Sequence, residues 1–538
     1  MSLRRFSLCL SLAAAPVAGQ GDPLPALVVP PENPITVEKT LLGKTLFWEE
    51  QLSATGTISC GTCHILTAGG EDPRSSVPMA LHPGMDGIPG TADDVIGSPG
   101  VFRTLANGKL DAAPGSGFQA QVTGRQAPPV INAAFALRLF WDGRAEGHFK
   151  DPLTGSPVQP SPTALEVQAS GPPLSDVEMA HVNADWAGVA ARIEASTPLK
   201  LAAEVKPDHA AWIAGRSYPE LFEEAYGTPE VTPVRILRAI ATYERTLISD
   251  QTPYDLDQLS PQAAAGLLVF RDKGCEACHE EPLLASKVFH NIGLRPSSED
   301  LGRAGITGNP EDEGAFRTPH LRNVALRAPY FHNGSVATLE EVVDFYEGGG
   351  DFFDNLDPLM EPLEMTEQEK EDLVVFLREG LTDPRVEAGT APFDQPVVLF
   401  SESNLGAETF GVASAGTDGM LPTLVQPGPP SLGNDTFTLG VHDVLAGAPT
   451  YLILDTAAVL DGTQLGSLFL YPAFSQAYLT FDAGLAEGAG PAGWASLVFS
   501  LPEDPVLAGV NVYGQWLVID ESAEWGVAAS PGLRFQLY

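Results

Sequence analysis

The stretch Cys60-Gly61-Thr62-Cys63-His64 recurs in form as Cys275-Glu276-Ala277-Cys278-His279. Both are CxxCH, and no other feature restricts the fold of this chain as strongly. In this pattern two thiols add to the vinyl groups of a haem, and the following histidine is placed to bind its iron. A thioredoxin-like redox pair needs no such histidine and is not expected twice. Four thiolates could hold zinc, but 211 residues separate Cys63 from Cys275, far beyond zinc-ribbon spacing. Two covalently bound haems c are therefore expected, with His64 and His279 as iron ligands.

Composition narrows the partners. The 538 residues carry 69 acidic and 30 basic side chains, a formal charge of -39. Such a chain repels nucleic acid and anionic lipid. A hydrophobic content of 44% excludes wholesale disorder. No apolar run approaches the roughly 18 residues that span a bilayer, so no membrane span is expected. Arg4 and Arg5, the apolar run Phe6 to Ala15 and the small residues Val17-Ala18-Gly19 read as a signal peptide over 1–19. The expected location is periplasmic or secreted.

Residues 20–252 and 253–385 are expected to form an N-terminal and a C-terminal haem domain, both mainly α-helical. Thr232-Pro233 and Ser260-Pro261 are helix starts. Thr338 with Glu341 and Thr366 with Glu369 are capping boxes, with Gly348 and Gly380 closing those helices. Gly43 to Phe47 ahead of the first motif echo Gly266 to Phe270 ahead of the second. Residues 69–125 read as a long Gly-, Pro- and Asp-rich loop region of the functional kind.

The composition changes after Arg385, and from Phe393 onwards Arg534 is the one basic residue. Short β-type runs at Thr436–Val441, Thr450–Leu454, Ser467–Tyr471, Ser496–Leu501, Asn511–Ile519 and Leu533–Tyr538 predict an all-β sandwich over 390–538. It carries no metal or catalytic cluster and reads as a passive accessory domain.

Several stretches carry a resemblance: Leu42-Gly43-Lys44-Thr45-Leu46-Phe47, Phe140-Trp141-Asp142-Gly143-Arg144-Ala145, Glu178-Met179, Phe316-Arg317-Thr318-Pro319-His320 and Ala328-Pro329-Tyr330-Phe331-His332. With the two CxxCH motifs, residues 36–383 closely resemble the bacterial di-haem cytochrome c peroxidases, including their MauG-like branch. The resemblance implies reduction of hydrogen peroxide to water at the N-terminal haem. Electrons would arrive through the C-terminal haem from a small periplasmic cytochrome c or cupredoxin. The family also admits a homodimer.

The resemblance further implies site residues. Gln121 and Gln126 are the nearest amides for the family's distal Gln, and Gln126 to Ala145 holds no counterpart of its distal Glu. No Trp lies between Trp48 and Trp141, so the family's bridging Trp is not found there and a different electron path is expected. His82 is offered as a removable sixth ligand and Tyr346 as the second ligand of the C-terminal iron. Tyr346 stands where the peroxidases place Met and the MauG-like branch a Tyr, with Met360 and Met365 as rivals. Arg144, Arg317 and Arg322 are offered to the haem propionates. The backbone carbonyls of Arg327 and Pro329 are offered to a Ca²⁺ ion, with the acidic loop Asp86–Asp94 as a further source of ligands. Two other functions stay open: oxidation of a protein side chain, as in the MauG-like branch, and plain electron carriage.

Overall fold

The computed structural model describes residues 23–538 except 77–79, 85–89, 112–119, 161, 399–406, 457–478 and 489–492. The expected signal peptide and the strand expected at Ser467–Tyr471 lie outside the described residues.

Three apolar clusters organise the chain. The first gathers Leu42, Leu46, Phe47 and Trp48 from the helix Val37–Phe47 and its end against Ile236, Leu237, Ile240 and Tyr243 of the helix Pro233–Glu244. The second joins Leu267 and Phe270 of the helix Pro261–Asp272 to Leu339, Val343, Leu373 and Phe376. In each, the helix preceding CxxCH crosses a later helix at a glycine. A Cβ on Gly43 would stand 1.9 Å from the Ala239 carbonyl oxygen, and one on Gly266 would stand 1.9 Å from that of Asp372. Only glycine permits approach this close. The echo in the sequence is thus one packing device used twice.

The helix starts follow their caps. The hydroxyls of Thr36, Thr232 and Ser260 accept from the amides of Lys39, Arg235 and Ala263. The boxes Thr338–Glu341 and Thr366–Glu369 both form. Gly348 is the last helical residue of its helix, and Gly349 at φ 77° supplies the left-handed cap expected of Gly348.

After the second body the chain returns to the first. Val386, Phe393 and Val398 belong to the first cluster. Asp394 pairs with Lys44 at 2.6 Å, and the Leu66 amide donates to Gln395 Oε1 at 2.9 Å. The haem-region chain therefore closes on its own N-terminal body before the strands begin.

The C-terminal strands form two antiparallel sheets. One has three strands, ordered Thr423–Val425, Phe437–Val444, Gly493–Phe499. The other has six, with Asn511–Ile519 pairing Pro449–Asp455, Val527–Ala529 and Gly532–Gln536. Phe437, Leu439 and Val441 share an apolar cluster with Leu452, Trp516, Val518 and Phe535. The alternate residues Thr438 and Gly440 meet the first body instead: Thr438 Oγ1 donates to the Gly108 carbonyl at 2.8 Å, and Leu110 leaves no room for a Cβ on Gly440. Strand periodicity of two thus buries both faces of this strand. Among the described residues, no helix is long and apolar enough to cross a membrane.

Candidate functional site: two haem attachment sites

The short helix Cys60–Cys63 carries the first motif. Its capping Ser59 exchanges hydrogen bonds with Thr62, 2.9 Å from the Ser59 amide to Thr62 Oγ1. Trp48 lies flat enough on this helix that a Cβ on Gly61 would stand 2.2 Å from its ring. His64 follows with its Nδ1 donating to the Gly70 carbonyl at 3.0 Å. A carbonyl can only accept, so Nδ1 holds the proton and Nε2 is left bare for a metal. The second motif repeats the arrangement: His279 Nδ1 donates to the Leu284 carbonyl at 3.1 Å. Burial pushes both imidazoles below their usual value, His279 to about 4, which keeps them neutral as ligands must be.

A cavity of about 510 Å³ opens on the first motif, lined among others by Cys60, Cys63 and His64. Both thiols are unpaired, and burial raises them, Cys63 to about 12. Among the described residues, no group of three or more His, Cys, Asp or Glu side chains is placed to hold a metal ion. The zinc alternative therefore has no geometry here, whereas a cavity walled by two thiols and one bare imidazole nitrogen fits a haem.

The same cavity holds a glutamate, the residue type that the stretch Gln126 to Ala145 lacks. Glu178 lines it, together with Gln168 from the helix Ala164–Ala169. Burial raises the Glu178 carboxyl above its ordinary value, against Ser175 and Arg144, which lower it. Gln126 also lines the cavity, while Gln121 does not. Glu178 was not anticipated beside Phe140–Ala145 because the cavity wall is completed by a segment about 35 residues later. The signal was present, since Glu178-Met179 belongs to the matching stretches. Glu244 from Pro233–Glu244 is a further buried carboxyl of the lining, raised by burial to about 8. Arg74, also unforeseen, donates to Cys63 Sγ at 3.2 Å and is held by Asp72.

Trp141 stands at the junction of the two bodies. It lines the cavity, donates from Nε1 to the Gln126 carbonyl at 2.8 Å, and meets His332 of the second body with ring centroids 6.2 Å apart. Its own carbonyl accepts from the Arg317 amide at 2.8 Å.

The remaining expected residues divide. Burial raises the Tyr346 hydroxyl above its ordinary value, and Cys278 and Cys275 of the second motif add to that shift. Its ring packs on Phe345 and Phe331. His82 is half-buried in the short strand Leu81–His82, accepts from the Gly84 amide at 3.2 Å, and is not part of the cavity lining. Arg144 lines the cavity and pairs with Asp142 at 2.8 Å. Arg317 is lowered by burial to about 10 and touches the Phe140 carbonyl at 3.4 Å. Arg322 is fully buried, and Asp255 and the Pro282 carbonyl take its guanidinium at 2.6 Å each.

At the calcium candidates the buried side chain is itself a cation. Arg327 pairs with Glu71 at 3.4 Å and donates to the His320 carbonyl at 2.7 Å, and its Nε has no hydrogen-bond partner. The Arg327 side chain itself has nothing to offer a Ca²⁺ ion, which leaves that expectation on the backbone carbonyls of Arg327 and Pro329, and residues 86–89 of the acidic loop lie outside the described residues.

Comparison with known proteins follows the same lines. The di-haem cytochrome c peroxidase family matches residues 37–260. The chain is 30% identical over 434 residues to cytochrome-c peroxidase IdrP1 of Denitromonas iodatirespirans, covering 71% of this chain and 95% of that protein. It is 31% identical over 366 residues to the methylamine utilization protein MauG of Methylorubrum extorquens, covering 66% and 81%. The crystal structure of a MauG-like protein associated with microbial copper homeostasis superposes with a TM-score of 0.50 at 27% identity, covering 69% of this chain and 96% of that one. This chain belongs to the di-haem cytochrome c peroxidase and MauG family and is an oxidoreductase that carries haem c.

Proposed function

We propose that the chain reduces hydrogen peroxide to water in the first cavity, drawing electrons through the second haem from a small, exported redox protein. The observation that carries this reading is Glu178 in the wall of the cavity that His64 also lines. Reduction of one peroxide consumes two electrons and two protons and yields two waters. Bound haem supplies the redox-active iron. Glu178 supplies a carboxyl held above its ordinary value by burial, suited to take a proton from one peroxide oxygen and return it to the other. Gln168 offers an amide beside it to orient the substrate. The exposed Arg144, the half-buried Arg317 and the buried Arg327 are offered to the propionates; Arg144 would share its charge with Asp142 and Arg327 with Glu71, while Arg322 is fully buried and matched by Asp255. His64 and His279 would hold the irons through Nε2.

Glu178→Gln in the haem-loaded protein tests the reading. Peroxide turnover should fall at least a hundredfold with both haem spectra retained, and unchanged turnover would overturn it.

Tyr346 beside Cys275 and Cys278 favours a second reading, oxidation of a protein side chain as in the MauG-like branch. A tyrosinate ligand would stabilise ferric and higher states over ferrous. The C-terminal sheets, which share one apolar cluster, are read as a sandwich, and the protein as exported to the periplasm. A Ca²⁺ ion on the Arg327 and Pro329 carbonyls is a separate proposal, tested by whether a chelator changes the haem potentials.

A further inference from the structure

Glu178 sits on an irregular segment whose position depends on its neighbours. Three backbone bonds fix it from both sides. The Ala54 amide donates to the Met179 carbonyl at 2.7 Å, the Val101 amide to the Glu178 carbonyl at 3.2 Å, and the Val182 amide to the Thr104 carbonyl at 2.8 Å. Gly100 runs so near that a Cβ there would stand 2.0 Å from the Val177 carbonyl oxygen. Arg103 adds an ion pair to Asp176. The donors and acceptors outside the segment lie in two places, near 54 and over 100–104.

Those are the places that the C-terminal sheets grip. Residues 103–111 turn back on themselves, with Thr104 bridged to Leu110. At the tip, Thr438 Oγ1 donates to the Gly108 carbonyl at 2.8 Å, and Lys109 pairs with Glu487. Leu110, 3% exposed, forms a small apolar cluster with Val425, Phe102 and Trp494. The second grip falls on 54–56. A Cβ on Gly428 would stand 2.7 Å from the Thr55 carbonyl oxygen, and Pro429 packs against Gly56. Lys200 donates to the Leu432 carbonyl at 2.8 Å on the same side.

We infer that the C-terminal sheet region is a positioning element for the first haem cavity: it clasps the loops at 54–56 and 103–111 and through them holds the Glu178 segment in place. Leu110 and Thr438 are the positioning residues. A passive appendage would need neither the missing Cβ at Gly440 nor a strand buried on both faces. Interfaces packed this closely transmit displacement rather than absorb it.

The turnover part of this inference rests on the peroxide reading, so the first readout does not use the reaction. In the full-length, haem-loaded protein, Leu110→Ala with Thr438→Val should speed hydrogen exchange of the Val101 and Val182 amides at least tenfold. Exchange in Pro261–Asp272 and the spectrum of the second haem should not change. Peroxide kcat/KM should fall three- to tenfold, with a shifted acid limb in its pH profile. In a Glu178→Gln background the same pair of substitutions should cost nothing more. Faster exchange at 105–110 alone, an unmoved pH profile, or an equal further loss in the Glu178→Gln background would each overturn the inference. Thr438→Val alone, which keeps the side-chain shape, gives the same exchange test should the double variant fold poorly. If Glu178→Gln itself leaves turnover intact, the peroxide reading fails while the exchange result still decides the clasp.

Discussion

Trp141 and His332 meet edge to face across the boundary between the two haem-binding bodies, their ring centroids 6.2 Å apart. His332 in turn stacks on Phe316 at 3.7 Å. Burial, opposed by Asp300, pushes His332 down to about 3, so it is a neutral aromatic rather than a cation. An unbroken apolar contact thus leads from the wall of the first cavity into the second body.

Trp141→Phe keeps the packing and removes the bond to the Gln126 carbonyl, whereas Trp141→Leu removes the aromatic ring. Electron transfer between the haems should slow at least tenfold in the leucine variant and less in the phenylalanine variant. Stopped-flow absorbance of each haem after mixing with a reduced donor checks this.

Gly43→Ala and Gly266→Ala each place a methyl group inside a backbone carbonyl contact. Overpacking of this kind costs typically 1–3 kcal/mol, and backbone cannot yield as a side chain does, so about 3 kcal/mol is expected for each. Gly43→Ala should lower yield and order at the first haem, Gly266→Ala at the second. Thermal unfolding followed by haem absorbance separates them.

Legibility in the sequence followed the range of the interactions. The glycine echo and the helix starts at Thr36, Thr232, Ser260, Thr338 and Thr366 are local patterns that appear in the structure at those residues, while the left-handed cap expected at Gly348 falls one residue later on Gly349. Five of the nine described C-terminal strands were readable from β-type runs, whereas the shorter ones such as Thr423–Val425 and Val527–Ala529 were not. The cavity wall was not. Glu178 and Gln168 reach it from segments more than 100 residues beyond Cys60, and nothing in spacing alone ties them to that motif. Trp141 stood within a matching stretch, but its contact with His332, about 190 residues further on, leaves no mark in spacing. The sheet region reads as passive from its composition, and its contacts to the loops at 54–56 and 103–111 leave no mark there.

Glu244 makes stability depend on pH. Its carboxyl is raised by burial from 4.5 to about 8, so the folded chain keeps a proton that the unfolded chain releases. Stability from this group is greatest below the unfolded value and falls as pH rises through the window from 4.5 to about 8, at up to about 1.4 kcal/mol per unit. Glu244→Gln should abolish that part of the slope. Denaturant unfolding at pH 5 and pH 9 should therefore show a gain for the variant at pH 9 and little change at pH 5.

Tyr346 has a spectroscopic signature. Tyr346→Phe should alter the low-spin spectrum of the second haem, and Tyr346→Met should add a methionine–iron band and raise that haem's potential. Unchanged spectra and potentials in both would return Tyr346 to the packing around Phe331 and Phe345.

The most direct test of the account is a single turnover of the fully reduced, haem-loaded protein with one equivalent of hydrogen peroxide, followed at both haems across pH. The account predicts that one peroxide oxidises each haem by one electron. The rate should fall as Glu178 is protonated and fall at least a hundredfold at neutral pH in Glu178→Gln. Oxidation as fast in Glu178→Gln as in the unaltered chain, or confined to the second haem, would contradict it.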